Sequence, residues 1–183
     1  MLYYNCIENY VEVKVYMFET GSYIMYGKTG VCKVKAVGEP QLSGIDTGKL
    51  YYTLEPVYGS ETIFIPVDAK VPMRPILEKE EAQKLLEQIP QLLKQYGAQP
   101  PELEQRELPN YYKSLLETGN ILDVLQLLAY IYAKKNSAER SGKKLCQTDK
   151  LYEGKAEELI FGELATALGV SKEEIAAGMK AEN

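Results

Sequence analysis

The side chains best suited to bind a ligand are a group of basic residues in the second half of the chain. Five of them fall within eleven positions, with Glu139 as the one acid among them: Lys134, Lys135, Arg140, Lys143 and Lys144. Their local charge of +4 contrasts with the formal net charge of −5 for the whole chain. Clustered cations of this type bind phosphates. The alternative is a lysine pair that interacts with a helix dipole, followed by a solvated turn.

A strongly apolar segment precedes these basic residues and must position them. From Ile121 to Ala133, only Asp123 and Gln126 are clearly polar. Apolar residues recur at helical spacing and also fill the flanks, which is typical of a helix surrounded by its neighbours. The sequence therefore predicts a buried helix that ends by presenting a basic loop to solvent.

Several kinds of chemistry are excluded or disfavoured by residue type. Histidine is absent, and the three cysteines, Cys6, Cys32 and Cys146, lie far apart without a C-x-x-C pair. Ser–His and Cys–His nucleophile pairs and imidazole metal clusters are therefore excluded, and zinc or redox motifs are not indicated. We expect no catalytic residue, no metal site, no cofactor and no small-molecule substrate.

Gly27-Lys28-Thr29 looks like part of a phosphate-binding loop. That motif requires G-x-x-x-x-G-K-[ST] followed directly by a helix. The nearest earlier glycine, Gly21, is one residue too far back, and the β-like segment Val31–Val37 follows. The three residues are predicted to form a turn.

Composition and length place the chain among ordinary globular proteins of one or two domains. It has 183 residues, of which 45% are hydrophobic and 26% are charged, which is typical of that class. No run approaches the ~18 apolar residues that a membrane span needs, and no signal peptide opens the chain. We expect a cytoplasmic protein without a membrane partner.

The sequence divides into a β-rich part and a helical part. Residues 17–73 contain four short runs of β-branched and aromatic residues separated by glycine and proline, a pattern that predicts a small, strongly bent barrel. Residues 78–183 predict about five helices. The fold class is therefore α+β with two domains, joined near residues 68–77.

Residues 1–16 are interpreted as an extension before a natural start at Met17, although Val11–Tyr16 alternate as a strand would.

Helix ends are predicted from proline, glycine and capping signals. The first helix should run from Glu78 to Tyr96 with a bend at Pro90 and a stop at Gly97. Pro100-Pro101 should open the second helix, which runs toward Leu116 with an interruption at Pro109 and ends before Gly119. The central helix follows.

The last two helices have their own end signals. Thr148 is the expected N-cap of the fourth helix, and Gly169 its end. Ser171 with Glu174 forms a capping box for the fifth helix.

Ile63-Phe64-Ile65 is unusual because alternate residues of a strand face opposite sides, yet all three are large and apolar. Either both faces are covered within the protein, or one face covers a partner. An exposed edge of this type is suited to strand addition.

An ordered set of residues carries a family resemblance. The set is Phe18-x-x-Gly21-x-x-Ile24-x-Tyr26-x-x-x-Gly30-Val31, then Tyr51-Tyr52-x-Leu54, Ile63-x-Ile65-Pro66 and Arg74. It resembles the RNA-polymerase-interacting domain of the CarD/CdnL transcription regulators, which transcription-repair coupling factors share. Past that domain, Tyr112-Lys113 before Thr118-Gly119-Asn120, and Gly162-Glu163-Leu164-Ala165, resemble segments of the family's helical domain.

The resemblance implies a Tudor-like or SH3-like barrel that binds the β subunit of bacterial RNA polymerase, largely through exposed strand. The implied polymerase-binding residues lie on two strands: Val34, Lys35, Val37, Glu39, Ile63, Phe64 and Ile65. Relatives carry an arginine on the strand that matches Ile63–Ile65, where this chain has Phe64.

The resemblance also implies a helical domain that contacts promoter DNA near the upstream edge of the melted region. The DNA-binding candidates are Lys134, Lys135, Arg140, Lys143, Lys144 and Lys150, with Lys113 and Arg106 in second rank. Relatives insert a tryptophan wedge into the minor groove. This chain has no tryptophan, so Leu108, Tyr111 or Tyr112 serves as the apolar wedge, or the wedge is missing.

These observations predict a non-enzymatic transcription regulator that modulates the stability of the open complex. The acidic helical part, with a net charge of −4 over residues 78–183, requires that the DNA contact be weak and local. The alternative is a protein-binding adaptor without DNA contact.

Overall fold

The computed structural model describes residues 18–40 and 48–181, without the side chains of residues 180 and 181. The interpretation of Met17 as a start, and of residues 1–16 as an extension, lies outside the described residues, as does the expected strand pattern of Val11–Tyr16.

One antiparallel sheet forms the first part of the molecule. Its five strands are β1 (Tyr23–Tyr26), β2 (Gly30–Gly38), β3 (Tyr51–Pro56), β4 (Ile63–Pro66) and β5 (Met73–Pro75), in the order β4-β3-β2-β1-β5. Within the described ranges β4 and β5 are the two edges and do not pair with each other. The sheet is therefore open, and the closed barrel that the sequence predicts is not found in its strand pairing.

The first four strands coincide with the four runs expected to be β, whereas β5 falls in the segment expected to be a linker. β5 is three residues long and pairs only with β1 in the described structure. Its Pro75 is tolerated because proline, which lacks an N–H, can occupy an edge strand. A short strand of this type has no periodicity from which it could be predicted.

A tight turn at Gly27-Lys28-Thr29 joins β1 to β2, as predicted. The Thr29 N–H donates to the Tyr26 carbonyl at 3.0 Å. Gly27 and Gly30 have φ angles of +45° and +92°, a region that residues with a Cβ rarely adopt.

The two faces of the sheet are buried differently. One face carries a cluster of buried side chains that includes Ile24, Val34 and Leu54. On the opposite face, Met25 and Val31 pack into the core of the helices. The period-2 alternation of strand side chains thus supplies one small core inside the curved sheet and one contact with the helical part.

Five helices follow the sheet in the described chain, in agreement with the predicted number: α1 (Lys79–Gly97), α2 (Leu108–Glu117), α3 (Ile121–Arg140), α4 (Gln147–Leu168) and α5 (Lys172–Ala181). The predicted central helix is α3, which has eight buried residues. Asn120 caps α3, accepting a hydrogen bond from the Leu122 N–H at 2.9 Å. None of these helices is long and apolar enough to cross a bilayer.

Two predicted helix starts are wrong. The second helix begins at Leu108 and not at Pro100, and residues 105–107 form a turn before it. Pro109 instead lies in the first turn of α2, where a missing N–H costs nothing. The N-cap of α4 is Cys146, whose sulfur accepts from the Asp149 N–H, and not Thr148.

Three predicted helix-end signals are confirmed. Gly119 and Gly169, which follow α2 and α4, have φ angles of +71° and +70°. At the start of α5, the Glu174 carboxylate accepts from the Ser171 N–H at 2.8 Å, and the Glu174 N–H donates to the Ser171 hydroxyl at 3.2 Å.

Gly97 is the last residue of α1, but it lacks the left-handed conformation that is typical of a glycine at a helix end. It does not have a positive φ. A Cβ at Gly97 would lie 3.2 Å from the Ala129 carbonyl oxygen. Glycine is therefore required here by the close packing of α1 on α3.

Candidate functional site

The predicted polymerase-binding residues on β2 and β4 are distributed over both faces of the sheet. Val34 and Ile65 are buried in the core inside the curved sheet, and Ile63 packs against that core. Their side chains lie in the core and not on the docking surface where we expected them. Phe64 is 38% exposed and faces the other way.

Part of the outward face of the sheet is left uncovered by the helices, and Phe64 lies on it. In the strand register Phe64 is opposite Thr53, and Thr53 is opposite Ala36. We call the uncovered area the open face; it comprises Tyr23, Lys33, Lys35, Ala36, Thr53, Glu55 and Phe64.

A bulge in β2 exposes one charged residue of the open face, Lys35. The register shifts between Val34 and Ala36, and a bulge of this kind redirects the intervening side chain. Lys35 is exposed there and forms an ion pair with Glu55 at 3.0 Å. Val37 is half-buried, and Glu39 is exposed just beyond the strand.

The edge formed by β4 is the second feature of this surface. β4 pairs with β3 on one side, and no described strand pairs with its other side. Unpaired N–H and C=O groups on such an edge are able to pair with a strand from another chain. The edge and the exposed Phe64 ring thus offer both backbone and apolar contacts.

Lys134, a predicted DNA-binding residue, is held by a buried carboxylate. Its Nζ lies 2.7 and 2.6 Å from the two carboxylate oxygens of Asp149, which is 3% exposed. The Tyr112 hydroxyl donates to the same carboxylate at 3.1 Å. Burial, with Asp149 as the next cause, raises the pKa of Tyr112. Lys134 therefore joins α3 to α4 and α2.

Lys135 is engaged in a similar way at the surface. Its Nζ lies 2.8 Å from a carboxylate oxygen of Glu153 on α4, and this hydrogen bond raises the pKa of Lys135. The two second-rank candidates also have acidic neighbours. Arg106 pairs with Glu104 at 2.9 Å, and Lys113 lies 3.8 Å from Glu117.

Four other predicted DNA-binding residues are exposed, and no carboxylate pairs with them in the described structure: Arg140, Lys143, Lys144 and Lys150. α3 and α4 are antiparallel, since Tyr132 contacts Glu157 whereas Lys134, further along α3, contacts Asp149 near the start of α4. The end of α3, the following loop and the first turn of α4 therefore lie together. The structure brings these four cations to one end of the helix pair.

The residues expected to supply an apolar wedge are not free to do so. Leu108 and Tyr112 are 9% and 1% exposed. Tyr111 is half-buried and stacks on Tyr130 with ring centroids 6.2 Å apart. Burial raises the pKa of Tyr111 to about 12. None of the three projects from the surface.

An ion pair between the sheet and the helices was not anticipated. Two guanidinium nitrogens of Arg74 on β5 lie 2.5 and 2.8 Å from the carboxylate oxygens of Glu163 on α4. Arg74 also donates to the Gly119 carbonyl at 2.6 Å. Glu163 is fully buried. The sequence signal for this site is an acid within the apolar run Leu159–Ala165, together with Arg74 in the family pattern.

Comparison with protein families identifies the sheet. Residues 18–77 match the model of the CarD-like/TRCF RID domain. This part of the chain is therefore a RID domain. This RNA-polymerase-interacting domain contains β1 to β5 and ends two residues before α1. The match covers about a third of the chain and leaves the five helices outside it. No curated protein matches the chain.

The RID domain indicates interaction with RNA polymerase as the function of the sheet. The Arg74–Glu163 ion pair joins this domain to α4, and a Cβ at Gly30 on β2 would lie 3.5 Å from the Leu159 side chain on α4. These contacts hold the sheet against α4. In the described ranges, no group of three or more His, Cys, Asp or Glu side chains is arranged to hold a metal ion.

Proposed function

We propose that this protein is a transcription regulator that binds the β subunit of bacterial RNA polymerase through its Tudor-like RID sheet. In this proposal the helices contact promoter DNA and modulate the stability of the open complex. The role requires no catalytic step and no small-molecule substrate, and it places the protein in the cytoplasm.

Two features of β4 support polymerase docking: an edge that pairs with no strand in the described part of the chain, and the exposed Phe64 ring. Strand addition satisfies the backbone groups of the edge. The Phe64 ring adds apolar area beside it, where relatives have an arginine. Since Lys35 and Glu55 already neutralise each other, we expect the contact to depend more on strand pairing and apolar burial than on charge.

The observation that supports DNA contact is the group of exposed cations at the α3–α4 end of the molecule. Once the RID domain is docked, this contact becomes intramolecular, with an effective concentration on the order of millimolar. A few exposed cations on an otherwise acidic chain are then sufficient to hold the DNA. Held beside the promoter, the protein favours the state that exposes more DNA backbone to it, which we propose is the open complex.

The first test replaces Phe64 with glutamate. Phe64→Glu should abolish or strongly weaken capture of the polymerase core, because a charge on the edge strand opposes docking. Val170→Glu is the matched control, since Val170 is similarly exposed at 40% but lies between α4 and α5. Equal capture by both variants would contradict the docking assignment.

The second test reverses two charges in the loop before α4. Lys143→Glu/Lys144→Glu should change the lifetime of the open complex while polymerase capture stays intact. Lys84→Glu/Lys94→Glu, on exposed positions of α1, is the control for net charge. If the loop variant behaves as the wild type does, the DNA assignment is wrong.

The second candidate function is a protein-binding adaptor without DNA contact. It is favoured by the ion pairs of Lys134 and Lys135, because two of the predicted DNA-binding lysines are already paired with carboxylates of the protein. Salt separates the two candidates. Phosphate contacts release counterions, so the effect on promoter complexes should fall steeply as salt is added, whereas an apolar adaptor interface should respond little.

A further inference from the structure

A groove with an apolar floor lies between α1 and α5, and we call it the α1–α5 groove. Its floor is formed by Ile89 and Leu93 of α1 and by Ile175 and Met179 of α5. All four side chains belong to the core of the helices. Both helices pack on α4, and the groove between them gives access from solvent to that core.

The size of the α1–α5 groove indicates the kind of occupant. Pockets for small ligands usually enclose about 300–1,000 Å³, whereas this groove encloses about 210 Å³. Its α1 side extends from Gln83 to Leu93, which at ~1.5 Å per residue is roughly 15 Å, or about three helical turns. A partner helix with apolar residues at every third or fourth position fits a groove of this length better than a small molecule does.

Gly178 forms part of the α5 side of the groove. Glycine within a helix is destabilising relative to alanine. A Cβ at Gly178 would meet nothing within 4 Å, and its φ is not positive, so no contact in the described structure requires glycine here. Because it has no side chain, another backbone can approach α5 closely at this point.

Pro90 forms part of the α1 side of the groove. α1 continues through Pro90, but proline has no N–H, so the Leu86 carbonyl cannot receive its usual α-helical hydrogen bond. Leu86 and Pro90 both line the groove. The Leu86 carbonyl can therefore accept a hydrogen bond from a donor on an occupant.

The charged residues that line the groove are both acids, Glu87 on α1 and Glu174 on α5. Both are exposed, and neither pairs with a lysine or an arginine in the part of the chain that the structure describes. Lys84 and Lys94 are exposed on α1 but do not line the groove. The rim of the groove is therefore anionic.

The two acids have neutral hydrogen-bond partners. Glu87 accepts from the Gln83 side-chain amide at 3.1 Å. Glu174 accepts from the Ser171 N–H and hydroxyl, and these hydrogen bonds lower the pKa of Glu174. Both carboxylates are thus charged at neutral pH, and their charge complements a cationic occupant.

We propose that the α1–α5 groove binds a cationic amphipathic helix of a protein partner. The apolar residues of that helix lie on the floor, its lysine or arginine residues pair with Glu87 and Glu174, and its backbone passes close to Gly178. A nucleic acid is disfavoured because its phosphates would face two carboxylates.

The other segments of this chain do not have the required charge. The side chains of residues 1–17 include two acids and one lysine, and those of residues 41–47 include one acid and no base. A second copy of the chain has a net charge of −5 and is the alternative occupant. The groove shares no residue with the RID domain or with the loop before α4, so the inference is independent of the proposed function.

The first experiment measures binding of a designed peptide to the full chain by fluorescence anisotropy. The probe is a fluorescein-labelled helix of about four turns, with leucine at every third or fourth position and lysine elsewhere. It should bind, whereas the same peptide with glutamate in place of lysine should not. If the lysine peptide does not bind, or if both peptides bind equally, the proposal is overturned.

Two variants locate the binding. Gly178→Gln places a long side chain in the groove and should keep or raise the thermal midpoint, because glutamine is a better helix former than glycine. Glu87→Lys reverses one charge of the rim. Each should weaken binding of the lysine peptide several-fold.

Matched controls separate the groove from general attraction to an acidic chain. Gly154→Gln alters a helical glycine of α4 whose Cβ would also meet nothing within 4 Å. Glu102→Lys makes the same charge change at an exposed position before α2. Both should bind the lysine peptide as the wild type does. Equal losses in the controls and in the groove variants would overturn the proposal.

Sedimentation equilibrium of the wild type and of Gly178→Gln tests the alternative occupant. The proposal requires that the two proteins have the same mass in solution. A wild-type dimer that Gly178→Gln dissociates would make a second copy the occupant. Because neither polymerase nor DNA is present in these experiments, their failure leaves the proposed function intact.

Discussion

At the scale of single residues, the helical part is organised around the buried carboxylate of Asp149. It accepts hydrogen bonds from Lys134 on α3 and Tyr112 on α2, and the Cys146 thiol donates to it at 3.1 Å. A buried charge is stable only when it is paired and hydrogen-bonded. A lysine that the sequence assigned to DNA thus has a structural role.

Replacing Asp149 should therefore destabilise the fold. Asp149→Asn leaves the Lys134 ammonium without its counter-charge, and we expect a loss of about 2–3 kcal/mol of unfolding free energy. The measurement is urea denaturation with an unchanged m-value. Lys135→Gln, which breaks the exposed pair with Glu153, should cost less than about 1 kcal/mol. Equal losses in the two variants would contradict this distinction.

The two cysteines in the described ranges should differ in reactivity. Burial, and secondarily Glu61, raises the pKa of Cys32 to about 11, whereas Cys146 is exposed. Because the thiolate is the reacting species, a Cys6→Ser variant treated with a maleimide at neutral pH should be labelled once, at Cys146. Peptide mass spectrometry identifies the site. Equal labelling of Cys32 in folded protein would show that the sheet opens readily.

At the scale of elements, the spacing of α1 and α3 depends on small side chains. Gly97 lies against the Ala129 carbonyl, and its Cβ position is also 3.4 Å from the Cβ of Ala133. Small residues at these positions allow the two helices to pack closely. The periodicity of α1 predicts its buried side, but it does not indicate which residue approaches the neighbouring backbone.

A larger side chain at Gly97 should separate the two helices. Gly97→Leu should lower the unfolding free energy by about 1–3 kcal/mol, the usual cost of overpacking. Gly154→Ala, in the interior of α4 where space is open, should raise it by up to about 1 kcal/mol. Thermal unfolding of both variants measures the contrast. A stabilising effect of Gly97→Leu would show that the close approach is not required.

At the scale of the whole molecule, the Arg74–Glu163 ion pair fixes the RID domain on the helices. Glu163 also accepts from the Leu77 N–H at 3.1 Å, so it holds the chain between β5 and α1. Tyr58, after β3, adds a contact to α5, since the Lys172 Nζ lies 4.0 Å from its ring centroid. The RID domain and the helices that carry the basic residues are therefore parts of one connected structure.

Breaking the Arg74–Glu163 pair from one side should be costly. Glu163→Gln should reduce the unfolding free energy by about 3 kcal/mol, because it leaves a partly buried guanidinium without its counter-charge. The double variant Arg74→Met/Glu163→Leu should recover part of this loss. A double-mutant cycle in urea measures the coupling. Additive losses would mean that the two residues do not act as a pair.

Much of the architecture was predictable because it depends on local patterns. The alternating and helical periodicities located the four longer strands and the five helices, and glycine at Gly119 and Gly169 marked two helix ends. Two helix starts were predicted wrongly: α2 begins with Pro109 in its first turn, and α4 is capped by Cys146. A few hydrogen bonds at the helix end decide such starts, and the periodicity of the sequence does not show them. β5 was missed because a three-residue edge strand is stabilised by its neighbour and not by its own sequence.

The candidate site was predictable only in part. The sequence predicts binding roles for Phe64 and for the loop cations, which the structure shows to be exposed, but it could not show that Val34 and Ile65 face the core. That depends on the curvature of the sheet and on which side the helices cover.

The sequence by itself determined the four longer strands, the order of the five helices, the RID pattern and the position of the basic segment, since each is encoded in neighbouring residues. Only the tertiary structure decided which charges remain available. Asp149 pairs with Lys134 and Glu153 pairs with Lys135, whereas Lys143 and Lys144 pair with no carboxylate in the described structure. Ion pairs form between residues far apart in the chain, so their effect on surface charge follows from packing and not from composition.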